Sequence, residues 1–201
     1  MRPVTPRRPG RPKSGKAALT QHDVIAAALT LLDTGGEPAL TMRALATSLG
    51  VTPMALYHHV GSRDQLTGLL VQQVFGTPEG WWQHDAPHLD RIARIMSGYV
   101  TRATAHPALL LLVFRTPSAL TGPLREITQT LTETLRDMDL PDPLHIQWRD
   151  LLIDHAHGFI LSDAMQHDPK GALPGYHANL SRLLSHLARD CGQPAPDSDT
   201  A

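Results

Sequence analysis

The stretch Ala39-Leu-Thr-Met-Arg-Ala-Leu-Ala-Thr-Ser-Leu-Gly-Val-Thr-Pro-Met-Ala-Leu-Tyr-His-His-Val-Gly-Ser-Arg-Asp-Gln-Leu66 contains two short helical segments parted by a glycine. Thr41 is placed to cap a first turn, Leu45 and Leu49 form an i, i+4 apolar pair, and Gly50 breaks the run. Thr52-Pro53 restarts a helix with a capping residue and a proline at the first helical position, and Met54 to Val60 follow. Gly61 is the next breaker, and Ser62 with Gln65 offers a capping box for a helix expected from Arg63 to about Phe75. Counted from Met42, Ala46 stands fifth, Gly50 ninth and Leu56 fifteenth. Two helices that cross need a small residue at the crossing, a turn-tolerant residue between them and an apolar residue filling the angle. The spacing therefore predicts a helix-turn-helix unit, set against the plainer reading of an αα-hairpin in a bundle.

Outward from this unit the chain stays helical in pattern. Upstream, Val24, Ile25, Ala28, Leu29 and Leu32 share one face of a helix expected over about Gln21 to Asp33, with Gly35-Gly36 as its stop. Downstream, helices are expected from Leu89 to about Ala105, Pro107 to Phe114, Pro123 to Met138, Leu144 to Gln166 and Tyr176 to Arg189. No alternating strand pattern occurs, so the fold is expected to be all-α: an N-terminal three-helix domain with the helix-turn-helix unit, for which the resemblance given below implies DNA binding, and a C-terminal helical bundle. The expected divisions are a flexible basic arm at 1–19, the helix-turn-helix domain at 20–75, a helical domain at 76–190, to which the resemblance given below assigns ligand binding and dimerisation, and a disordered tail at 191–201.

Charge first argues against a nucleic-acid partner, because 18 Lys and Arg oppose 19 Asp and Glu for a net charge of -1 over 201 residues. The balance conceals a split. Arg2, Arg7, Arg8, Arg11, Lys13 and Lys16 lie on a Pro- and Gly-rich arm that holds no acidic residue. Residues 1–75 hold eight basic and four acidic side chains, a balance of +4, and residues 76–201 hold ten and fifteen, a balance of -5. A basic reading head and an acidic body would orient the molecule on a duplex. The longest apolar run, Ala108 to Phe114, is seven residues, where a bilayer span needs roughly 20. No membrane partner is expected. The basic N-terminus never reaches the apolar stretch of a secretory signal, and Cys191 alone permits no disulfide and no CxxC pair, so a cytoplasmic location is expected.

The stretch from Ala39 to Leu66 resembles the DNA-binding signature of the TetR-type transcriptional regulators. The likeness lies in Leu40-Thr-x-Arg43, the Leu49-Gly-Val51 turn, the Leu56-Tyr-x-His-Val60 helix end and the Ser62-Arg-x-x-Leu66 start of the following helix. It covers about residues 20–75, and its phrasing is nearest the tetracycline-repressor branch, where many members have Phe at the position of Val60. The resemblance implies that the helix from Thr52 to His59 enters the major groove and presents Thr52, Met54, Ala55 and His58 to base edges. It further implies that Thr41, Arg43, Tyr57, His59 and Arg63 hold phosphates, which set register and affinity. The reading helix lacks Arg, Lys, Asn and Gln, so direct base readout should be modest. Each contact has a structural alternative: Tyr57 could pack between helices, His58 and His59 could face solvent, and Arg43 could pair with an acid on the first helix. In the arm, Arg8-Pro-Gly-Arg-Pro12 resembles the Gly-Arg-Pro core of AT-hook peptides. Arg7, Arg8 and Arg11 are therefore expected on the minor groove or, equally, as a non-specific phosphate-binding tail.

A TetR-type protein implies a homodimer on a palindromic operator and an unknown small-molecule effector. Leu180, Leu183, Leu184 and Leu187 form a stripe expected at the subunit interface, with packing inside the chain as the alternative. A ligand pocket is expected from Tyr99, Leu110, Phe114, Trp148, Leu152, His155 and Phe159. Among 12 histidines, His84 and His88 are four apart around Pro87, and His155 and His157 are two apart and point to different sides of a helix. No third ligand converges by spacing, so no metal and no cofactor is expected. Neither a nucleophile with its base nor a carboxylate pair stands at a persuasive spacing, so an enzyme is not expected. A ligand-responsive repressor and a ligand-independent architectural DNA-binding protein remain.

Overall fold

The first helix of the head begins at a capping box. Thr20 Oγ1 accepts the Asp23 amide at 3.1 Å, and the Asp23 carboxylate accepts the Thr20 amide at 2.9 Å. The computed structural model describes residues 18–76, 85–120, 122–166 and 172–192. In it α1 runs Gln21–Ala39, beyond the expected stop at Asp33. The regular helix breaks at the expected glycine pair, where Gly36 takes φ 66° and ψ -170°, outside the helical region, and a separate short turn containing Pro38 follows.

Helices α2 (Met42–Leu49), α3 (Pro53–Val60) and α4 (Arg63–Phe75) carry the caps read from the sequence. Thr41 accepts from the Ala44 amide at 3.1 Å, Thr52 from Ala55 at 3.3 Å and Ser62 from Gln65 at 3.1 Å. Gly50, at φ 67° and ψ 35°, takes the left-handed conformation that lets α3 turn away from α2. The fully buried Val24, Ala28 and Leu32 of α1 share the core with Leu45 of α2, Leu56 of α3 and Leu66 of α4.

The body is built from α5 (His88–Ala105), α6 (Pro107–Arg115), α7 (Pro123–Arg136), α8 (Leu144–Gln166) and α9 (Ala172–Asp190). A 3₁₀ turn at Pro117–Ala119, absent from the sequence expectation, links α6 to α7. Helix α9 starts four residues earlier than expected, with Pro174 in the first turn, where its missing N–H costs little. No strand occurs among the described residues, and the fold is all-α. Nor is any described helix long and apolar enough to cross a membrane.

Head and body share one core. Helix α1 packs on α6, and α4 packs on α5, α6, α7 and the 3₁₀ turn, so the buried apolar cluster runs without a break from Val24 to Ala188. The leucine stripe of α9 corrects an expectation. Leu180, Leu184 and Leu187 are buried and Leu183 is half-buried within the chain, where α9 packs on α5 and α8. An amphipathic helix turns its apolar face to the nearest cover, and here α5 supplies it. What α8 and α9 leave exposed is a different face: Leu151, Gly158 and Met165 on α8, and Ala178, Asn179, Arg182 and His186 on α9.

Candidate nucleic-acid interface and cavity

Helix α3 divides cleanly between core and solvent. Leu56 and Val60, four residues apart, are buried, while Thr52, Met54, Tyr57 and His58 are exposed. Met54 is 67% exposed and Tyr57 46%, so neither is held in the core, and the alternative of Tyr57 packing between helices holds at most in part. Ala55 and His59 are half-buried at the flanks. The C-terminal end of α3 is tied to α1, where Gln21 Nε2 donates to the His59 carbonyl at 2.9 Å. Gly61 closes the helix at φ 66°, and a Cβ there would collide with Gln65 Oε1, the same atom that accepts the Ser62 amide. The exposed row is thus presented on a fixed helix.

Around it lie the residues expected on phosphates. Thr41 and Thr52 cap their helices as acceptors, which leaves each hydroxyl hydrogen free to donate. Arg43 is exposed and makes no ion pair among the described residues. The pairing with an acid of α1 is made by Arg63 instead: its guanidinium stands 3.6 Å from Glu37 Oε1, while Arg115 of α6 donates to Glu37 Oε2 at 2.9 Å. One carboxylate therefore joins α1, α4 and α6. A second link across the same boundary runs from His106 Nδ1 to Asp33 Oδ2 at 2.9 Å. These pairs are part-exposed, so each contributes little to stability, but they fix how head and body sit. Arg7, Arg8 and Arg11 lie outside the described residues, as does His84.

In the body, a cavity of about 290 Å³ opens between α5, α6, α7 and α8. Of the expected lining, Tyr99, Leu110 and Phe114 border it. The other four residues lie elsewhere. Leu152 is fully buried core, Trp148 donates to Asp190 at 3.0 Å, and His155 and Phe159 pack on Tyr176, the former ring nearly parallel at 5.3 Å. The side of α8 that meets the cavity carries Ile153 and His157 instead. His157 Nε2 lies 2.9 Å from the Tyr99 hydroxyl, and Tyr99 stacks on Phe75 of α4 at 5.4 Å. Met96, Ile127 and Leu131 also line the cavity, with Arg125 beside them, and none of the four is among the residues expected from the sequence.

Burial sets the charge state of these groups. It pushes the Tyr99 and Tyr176 phenols well above their ordinary range, so both stay protonated. It also lowers His157, against a partial opposing pull from Asp154, and lowers His155. Both imidazoles gain protons more readily in the unfolded chain, near pH 6.5, than in the folded one. Their contribution to stability is complete above pH 6.5 and declines as the pH falls below it. The melting temperature should therefore drop between about pH 6.5 and 5. A His157→Gln variant should show a shallower drop than the parent in calorimetry, and an equal slope would refute this origin.

An exposed row on the second helix of a helix-turn-helix unit, beside exposed cations and joined to an all-α body with a cavity, is the geometry of a two-part helix-turn-helix protein. The family model for "Bacterial regulatory proteins, tetR family" matches residues 24–68, the segment that holds the helix-turn-helix unit. The protein is 31% identical over 150 residues to the HTH-type transcriptional repressor DrrR1 of Streptomyces coeruleorubidus, covering 69% of this chain and 51% of that one. It is 43% identical over 58 residues to the class E tetracycline repressor protein of Escherichia coli, covering 29% and 28%. The crystal structure of Mycobacterium smegmatis BioQ matches with a TM-score of 0.67 at 25% identity, over 86% of this chain and 99% of that one. A further BioQ structure, with its double-stranded DNA operator, matches with a TM-score of 0.64 at 25% identity, over 85% and 99%. The chain spans between about a quarter and a half of the length of the curated relatives it matches.

Proposed function

We propose that this protein is a sequence-specific transcriptional regulator: a homodimeric repressor that leaves a palindromic operator when a small molecule enters the body. The observation that carries this reading is the outward row of α3, with Thr52, Met54, Tyr57 and His58 exposed on a helix fixed from both ends. BioQ, alike in fold over nearly its whole length, is known with a DNA operator. In this reading Thr52, Met54, Ala55 and His58 meet base edges, and Thr41, Arg43, Tyr57, His59 and Arg63 meet phosphates.

Dimerisation supplies the second reading helix. The exposed face of α8 and α9 suits a second copy, because Gly158 and Ala178 let helices approach while Leu151 and Met165 gain burial. Two heads held about 34 to 36 Å apart would read a near-palindrome. The cavity is the proposed effector site. Phe114 on its border is followed by Arg115, whose partner Glu37 also holds Arg63, so a shift of α6 bears on both α1 and α4. An effector acts to the extent that it binds one of the two arrangements better.

Selection of bound sequences from a random DNA pool tests the reading. A single palindrome preferred over bulk DNA by about 10³-fold or more is expected, and uniform binding would refute it. The arm has its own test. Replacing Arg7, Arg8 and Arg11 with Ala should flatten the log–log salt dependence of operator binding by about two to three units of slope. An unchanged slope would remove the arm from the interface.

A further inference from the structure

We propose that the cavity takes a small amphipathic carboxylic acid, its acid group held by Arg125 and its apolar body enclosed by α5, α6, α7 and α8. The proposal deepens the effector reading above and rests on it for the choice of site. Three observations carry it.

The first is the gradation of the lining. Met96, Val113 and Leu131 are at most 1% exposed and form an apolar interior. Phe114 and Leu120 are about half exposed, and Arg125 is also exposed. The lining thus passes from a solvent-facing rim, which carries its one ionic residue, to a closed apolar end. A ligand that fits such a gradient has one polar end and one greasy end.

The second is which polar atoms are already engaged. Tyr99 and His157 are bonded to each other at 2.9 Å, and the Thr128 hydroxyl donates to the Leu124 carbonyl at 3.0 Å. Arg125 alone among the polar lining residues has no hydrogen bond or ion pair among the described residues. A guanidinium offers its donors in a fork that matches a carboxylate bidentately. No acidic side chain lines the cavity, so nothing within the lining competes for that fork or attracts an amine.

The third is size. A space of about 290 Å³ holds about ten heavy atoms if each takes roughly the 30 Å³ share of a water molecule. Octanoate is of that size, and 1-octanol and octylamine differ from it only in the head group.

Calorimetric titration of the full chain with octanoate, 1-octanol and octylamine tests the assignment. Octanoate should bind at least about 10-fold more tightly than 1-octanol, and octylamine more weakly than either. Arg125→Gln should erase the advantage of octanoate and leave 1-octanol unchanged. Because Arg125 is exposed, this variant should fold like the parent, and Arg125→Lys should keep part of the advantage. Equal binding of octanoate and 1-octanol, tighter octylamine, an Arg125→Gln variant with full octanoate affinity, or no binding by any probe would each overturn the proposal. Operator release is measured separately: octanoate that binds through Arg125 yet leaves the operator complex intact upholds the acid site and refutes its effector role.

Discussion

Leu56→Ala is expected to destabilise the whole chain by about 3 kcal/mol, not the head alone. Leu56 is fully buried on the inner face of α3, where it fills the angle between the helices of the helix-turn-helix unit. Removing three carbons there loses their transfer free energy and leaves a void that the short helices, fixed by Gly50 and by the Gln21–His59 bond, cannot collapse. The head shares its core with the body through α1 on α6 and α4 on α5, so its loss of packing draws on the same cooperative unit. For a chain of this length the melting temperature should fall by about 6 to 12 °C in a single transition. Scanning calorimetry that shows the head melting alone, with the body transition unmoved, would contradict the shared core. Operator binding should weaken in parallel, since α3 then presents its outer row on a loosened base.

The sequence made the head legible because its signals are local. Thr41, Thr52 and Ser62 each sit where a free amide needs an acceptor, and Gly50 and Gly61 where the backbone needs positive φ. Such requirements span three or four residues and survive any tertiary arrangement. Gly36 belongs with those glycines: the helix breaks there at φ 66° and ψ -170°, and only the short turn that follows, through Pro38, was not foreseen. The body was legible as helices but not as a site. Which side of α8 meets the cavity depends on how α5, α7 and α9 are laid around it, and a helix whose His, Trp and apolar residues together go nearly all round does not announce that direction. Thus Trp148, His155 and Phe159 turned toward α9 and its neighbours, and His157, two residues from His155, turned toward the cavity. The same blindness hid the cover that α5 provides for the α9 leucines and the sharing of Glu37 by Arg63 and Arg115, 52 residues apart in the chain.

Separating stability from recognition requires a change on the outer row of α3, and Met54→Glu supplies it. Met54 is 67% exposed, so no packing is lost, and substitutions at such positions stay within about 0.5 kcal/mol. It also occupies the first turn of α3, immediately after Pro53, where a carboxylate complements the positive end of the helix. Folding should therefore be unchanged or slightly strengthened. In the groove the sign reverses. A carboxylate aimed at base edges lies between two rows of phosphates, loses much of its hydration and meets no cation, because the reading helix holds no Lys or Arg. Operator affinity should fall by about 100-fold or more, equivalent to about 2.7 kcal/mol. Met54→Ala, which removes an apolar contact without adding charge, should cost less than about 10-fold. Fluorescence anisotropy on the selected operator, paired with thermal melts of both variants, distinguishes the cases. A Met54→Glu protein that melts like the parent and binds the operator with parental affinity would show that α3 does not enter the groove.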